Sequence, residues 1–395
     1  MWSKISLLIL ALGMLLQACV PVDIIPEAAY TCSLSIPDTS EFSQTGQELE
    51  TAMDLLASNS YGGQAAVRTP DGQLWTGAKG IADIAGEIRL TPCHKTMVGS
   101  ISKPITAILV MQLHEEGLLN IDDPLNQYLD QSLIGRLDNA NEVNVRQLLD
   151  HTSGIRDYLS TKQFIRARNR DSLRETQAEK LAYAYGKPAY HTPGTQHTYS
   201  NTNYVLLGLL VEELRGIPLW EAVDDYIAKP LGLSNFQMGT HSDPIPLGTA
   251  RPYALEQGNY RDITPFAIAD AATGDGGISS NMQDLVLVFE ALFDGRLVNS
   301  ETLALMTDSR VEVPLDQQDF PQWESETYGL GLLRMNTPIG VAYGHTGSTS
   351  TYNAFMFYFP DRGTSFAVGY HTEADQAQWQ ARREFREEVF RIIGD

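Results

Sequence analysis

The sequence predicts an α/β fold in which one sheet is assembled from both ends of the chain and a helical domain is inserted between them. Three observations predict it. Strand-like runs cluster before residue 80 and after residue 323, and the chain between them is mostly helical segments broken by Gly/Pro loops. The third is that 395 residues, 43% of them apolar, are enough to bury a large core. The net charge of −21, without any Lys/Arg run, repels a phosphate backbone, so nucleic acid is excluded as a partner.

In chain order, residues 1–18 read as an export signal. Lys4 supplies a positive start, residues 5–16 form an apolar run too short to span a bilayer, and the small residue Ala18 precedes Cys19. Leu16-Gln17-Ala18-Cys19 resembles the lipobox of bacterial lipoproteins, so Cys19 is the expected lipidation site, with Gln17 a less usual occupant of its position. The alternative is an ordinary cleaved signal. Residues 19–44, rich in Pro, Ser, Thr and acids, read as a tether. In an oxidising compartment the two remaining thiols, Cys32 and Cys93, are expected to pair; closing a loop of roughly 60 residues contributes about 4 kcal/mol in the loop-entropy picture. Two buried free thiols are the alternative.

Residues 64–68 and 73–79 flank Pro70-Asp71-Gly72 and predict a hairpin. Helical patterns fill much of 105–292, including 205–215 and 282–293. Strands are expected over 329–334, 341–345, 352–359 and 365–371, with a tight turn at Pro360-Asp361-Arg362-Gly363, and a closing helix over 373–393. The domain reading is therefore a discontinuous α/β domain, 45–105 with 281–395, and a helical domain, 106–280, with any active site at their seam.

Three stretches carry chemistry. In Ser100-Ile101-Ser102-Lys103-Pro104, proline marks the first turn of a helix, so Ser100 sits at a helix N-terminus among free backbone N–H groups. Lys103, about one turn on, folds back to the Ser100 oxygen, and a lysine is a known substitute for histidine in activating serine. Tyr199-Ser200-Asn201 lies on a loop between Pro193-Gly194 and a helix. Gly344-His345-Thr346-Gly347-Ser348 ends a strand, its glycines admitting a substrate backbone alongside. Each alone has a bland reading: a capping serine, a surface tyrosine, a strand bend. The three in this order, each in its required structural context, are specific.

Together they resemble the serine β-lactamases of class C, the related D-alanyl-D-alanine carboxypeptidases and the esterases that share their fold. Residues 148–155, 199–208 and 276–280 also look like family segments, so the resemblance covers about residues 45–392. It implies a β-lactamase/transpeptidase-like fold, an antiparallel sheet flanked by helices beside an all-helical domain. It implies Ser100 as the acylated nucleophile, Lys103 as its activator and Tyr199 as general base, then acid. Asn201 would meet the acyl side-chain amide, Thr346 the substrate carboxylate, and the backbone N–H groups of Ser100 and Ser348 would form the oxyanion hole. A tyrosine base needs neighbouring cations, for which Lys103 and a protonated His345 are the candidates; a charged His345 would make activity fall as pH rises through its pKa. The third motif departs from the class C pattern, His-Thr-Gly in place of Lys-Thr-Gly, as in some carboxypeptidases and esterases of the family.

His114-Glu115-Glu116 lacks the second histidine of a zinc-protease motif, and His191 and His197 fit no metal spacing, so neither metal nor cofactor is expected. His151 reads as a loop-ordering residue. The expected protein is an exported, lipid-anchored, monomeric serine hydrolase of the cell envelope acting on a β-lactam or a D-Ala-D-Ala peptide end. A carboxylesterase, or a cell-wall peptide-binding protein without turnover, is the alternative.

Overall fold

The computed structural model describes residues 43–57, 62–168, 175–240, 245–264, 272–309, 311–313, 326–349 and 351–394. The N-terminal signal, Cys19, the tether up to residue 42 and Cys32 lie outside the described residues. Cys93 is fully buried and disulfide-bonded.

Nine strands form one antiparallel sheet, and both chain ends contribute to it. The N-terminal part gives β1 (Gly62–Arg68), β2 (Leu74–Asp83) and β3 (Ile88–Arg89); β4 (Thr96–Met97), β5 (Phe236–Met238) and β8 (Ile278–Ser280) make a second, small sheet. β6 (Tyr253–Glu256) and β7 (Asn259–Asp262) pair as a hairpin. The C-terminal part gives β9 (Val311–Glu312), β10 (Glu326–Tyr328), β11 (Leu333–Thr337), β12 (Gly340–Ser348), β13 (Asn353–Phe359) and β14 (Thr364–Tyr370). The large sheet runs β3-β2-β1-β14-β13-β12-β11-β10-β9, so the last strand lies beside the first and joins the two halves.

Side chains alternate across this sheet with the period of two that a pleat requires. Along β13, Ala354 and Met356 enter one core and Phe355, Phe357 and Phe359 the other. The first core packs against α2 (Ser102–Glu115), α3 (Asn201–Arg215) and α4 (Met282–Phe293), and the second against α1 (Gln44–Ala52) and α5 (Gln376–Gly394). Burying each of the three phenylalanines contributes roughly 1.5–3 kcal/mol. Arg68 fastens β1 to α4 through both oxygens of Glu290, at 2.8 and 2.7 Å.

Two expectations are corrected. The strand expected over 329–334 straddles a turn between β10 and β11, because Gly331 adopts φ 82°, where a Cβ would lie 2.4 Å from Ala107. The interval read as helical also contains β5 to β8, each only three or four residues long, too short for periodicity to reveal.

Candidate active site

Ser100 lies in a single 3₁₀ turn, Gly99–Ile101, that leads directly into α2. Two glycines let the end of β12 approach this turn. A Cβ on Gly347 would stand 1.8 Å from the Val98 carbonyl oxygen, and one on Gly99, at φ 52°, would stand 2.8 Å from the Ser348 nitrogen. The backbone nitrogens of Ser100 and Ser348 thereby stand at the same close approach of strand and turn.

Lys103 is wholly buried in the first turn of α2. Its Nζ donates to Ser100 Oγ at 2.9 Å, to Asn201 Oδ1 at 2.8 Å and to the Asp275 carbonyl at 2.9 Å. Three N–H donors meeting three acceptors is the geometry of an ammonium. An Nζ held by three acceptors is suited to act on Ser100 as a positive charge, which leaves the base role to another candidate. Tyr199 fits that role: its ring centroid lies 4.9 Å from Nζ, and it shares the wall of one cleft with Ser100.

Asn201 is the first residue of α3. Its Oδ1 is held by Lys103, while its Nδ2 donates to Asp157 Oδ2 at 3.2 Å and its backbone N–H to Asp157 Oδ1 at 3.2 Å. Both carboxylate oxygens of Asp157 thus face Nδ2, the second, Oδ1, at 3.4 Å. Burial raises the Asp157 carboxyl to about 6, with Asp275 adding to the shift while Leu159 N–H, Asn201 and Lys103 oppose it. Tyr158 donates its hydroxyl proton to Asp275 Oδ2 at 2.9 Å.

The expectation of a protonated His345 is corrected. His345 is 2% exposed, and burial, aided by the charge of Lys103, holds its ring at about 3, so it is neutral at physiological pH. Nδ1 donates to the Thr346 carbonyl, and Nε2 accepts from the Tyr328 hydroxyl at 2.9 Å, a tautomer assigned from these partners. His151, wholly buried with φ 59°, is also held well below its ordinary value by burial and by the neighbouring His197, Lys103 and His345. Its Nδ1 accepts the Ser200 N–H at 3.2 Å, and its ring packs 4.3 Å from Tyr199. Of the three groups around Tyr199, Lys103 carries the charge and the two histidines carry none.

The site opens on two sides of Ser100. A cavity of about 310 Å³ holds Asn201, Asp275, Ser348 and Thr349 on one side. A larger cleft of about 840 Å³ runs past Tyr199, His345 and Thr346 on the other, toward α5. Sequence reasoning named Ser100, Lys103, Tyr199, Asn201, His345, Thr346, Gly347 and Ser348, and the structure gathers them. It missed Asp157, Tyr158, Asp275 and Tyr328. Asp157 stands two residues beyond the family-like 148–155 segment and Asp275 one residue before the 276–280 segment; Tyr158 and Tyr328 had no signal of that kind.

Comparison with known proteins follows the same pattern. The family model described as Beta-lactamase matches residues 49–389. A D-stereospecific amidohydrolase from Streptomyces sp. is 28% identical, with a TM-score of 0.70 over 90% of this chain and 99% of that one. The octameric penicillin-binding protein homologue from Pyrococcus abyssi is 26% identical, with a TM-score of 0.74 over 88% of this chain and 77% of that one. A protein of Escherichia coli K12 provisionally named a D-alanyl-D-alanine carboxypeptidase is 25% identical over 285 residues, 62% of each chain. The match spans from 30% to 62% of the length of the curated relatives.

Proposed function

Because the chain belongs to the β-lactamase family, we propose that it is a serine hydrolase that forms an acyl-enzyme on Ser100 and then hydrolyses it. The observation that carries this is the Lys103 ammonium held between Ser100 Oγ, Asn201 Oδ1 and the Asp275 carbonyl, with Tyr199 beside it. In the first half-reaction Tyr199 takes the Ser100 proton, Oγ attacks the substrate carbonyl, and the N–H groups of Ser100 and Ser348 receive the oxyanion. Tyr199 then returns the proton to the leaving group. In the second half a water attacks the ester with the same residues in reverse.

The substrate class is an amide of the D-Ala-D-Ala or D-amino-acid kind or a β-lactam, with its acyl group toward Asn201 and its carboxylate toward Thr346. The names of the relatives support amide hydrolysis. The neutral His345 favours a second reading, small carboxylic esters, because the third motif supplies no cation for a carboxylate. Export as a lipoprotein through Cys19 belongs to the same proposal and places the enzyme at the cell envelope. The test is turnover of four probes by the wild type and Ser100→Ala: an N-acyl-D-Ala-D-Ala peptide, a D-amino-acid amide, a penicillin and a nitrophenyl ester. Cleavage of at least one, lost in the variant, is expected; equal rates in both proteins, or no cleavage of any, would overturn the reading.

A further inference from the structure

The larger cleft does not end at Thr346. It continues along the sheet past Asn353 and Phe355 to one face of α5, where Trp379, Arg382, Arg383 and Arg386 recur at helical spacing. Three guanidinium groups on one wall stand out in a chain with a net charge of −21. One carboxylate, Glu326 on β10, shares the cleft lining.

Arg382 is the informative member. It is 3% exposed, and its Nη2 donates to the Thr372 carbonyl at 2.9 Å and to Thr372 Oγ1 at 3.2 Å. Its Nε and Nη1 are buried and have no hydrogen-bond partner. Tyr370 and Trp379 stack over it at 4.2 and 5.2 Å, so what surrounds the guanidinium is aromatic. Burial pushes its pKa down, and the groups opposing that are Tyr370 and Tyr260, neither of them a carboxylate. A buried cation without a counter-ion is costly unless an anion comes to it. Arg383, exposed, and the half-exposed Trp379 stand on the same wall where that anion would enter.

We propose that this end of the cleft is an anion subsite, in which Arg382 and Arg383 receive a carboxylate carried by the leaving group of the substrate. The assignment to the leaving-group side rests on the serine-hydrolase reading: Tyr199, the proton donor to the leaving group, lines this cleft, whereas Asn201 lines the opposite cavity. The preferred substrates then carry an acidic group beyond the position that Thr346 serves, as an acidic residue or a dicarboxylate leaving group does.

Calorimetric titration of the full chain with succinate, succinamide and inorganic phosphate tests the subsite without any turnover. Succinate should bind, succinamide should not, and Arg382→Met should weaken succinate about tenfold or more, the size of a lost charge-assisted contact. Arg382→Lys should recover part of that loss. Arg383→Gln, at an exposed position, should also weaken binding, which keeps the test decisive if Arg382→Met fails to fold. Absence of succinate binding, or affinity unchanged in Arg383→Gln and in a folded Arg382→Met, would overturn the proposal; phosphate binding as tightly as succinate would overturn the choice of a carboxylate. Succinate should further raise the KM for a nitrophenyl ester and leave kcat alone. If none of the four probes is cleaved, the hydrolase reading fails, while the titration still decides the subsite.

Discussion

At Lys103 the number of acceptors decides the chemistry. A lysine whose three N–H groups are all engaged is a poor proton acceptor, so in the proposed mechanism Lys103 supplies charge and Tyr199 the base. Lys103→Ala and Tyr199→Phe should each lower kcat/KM by about 10²–10⁴, a range typical of removing one member of such a set, measured with the best of the four probes. The pH dependence belongs to Asp157 and not to His345. His345, held at about 3, does not titrate between pH 5 and 8, so the fall in activity expected from a charged histidine should be absent. Asp157 has a folded-state value of about 6, above its ordinary 3.8. Its protonation below pH 6 weakens the hold on Asn201 Nδ2, and kcat/KM should show an acid limb near pH 6 that Asp157→Asn removes. The sign for stability is the reverse: a raised carboxyl favours the folded state at low pH and loses that advantage as pH rises from about 4 to 6. The ionised form costs roughly 3 kcal/mol at pH 8, so Asp157→Asn should raise Tm there and not at pH 4. An unchanged Tm at pH 8 would contradict this. Ser100, Lys103 and Tyr199 were legible because they recur at fixed short spacings; Asp157 and Asp275 act across 44 and 172 residues of chain, and no local pattern encodes such a meeting.

Among the elements, the junction of β12 with the start of α2 carries the proposed oxyanion hole. Gly347 permits it, since any Cβ there meets the Val98 carbonyl at 1.8 Å and Ser100 N at 3.1 Å. Gly347→Ala must push the strand away from the helix N-terminus. The expected result is a loss of roughly 10²–10³ in kcat, the scale of one oxyanion donor, alongside about 1–3 kcal/mol of stability. A variant with full activity and wild-type Tm would show that the strand and turn do not form the hole. The hairpin of β1 and β2, the strands β12 to β14 and helices α2 to α5 were readable from alternation, turn residues and helical spacing. The turn at Gly331 and the short strands β5 to β8 were not: Gly331 turns where it meets Ala107 of α2, and the strands are only three or four residues long.

Across the whole molecule, the sheet joins both ends of the chain, and the site lies where β12 meets the N-termini of α2 and α3. Two spaces, about 310 and 840 Å³, meet at Ser100, and the proposed function assigns one to each half of a substrate. Cys93, buried and disulfide-bonded, lies seven residues before Ser100, so reduction should lower Tm by an amount worth about 2–5 kcal/mol if the bond constrains this region. The most direct measurement is the intact mass of the protein after incubation with a penicillin and with an activated ester, followed by peptide mapping. A covalent increment of one acyl group on the peptide containing Ser100, absent in Ser100→Ala, is expected. An increment on another peptide, or one that persists in Ser100→Ala, would contradict Ser100 as the nucleophile.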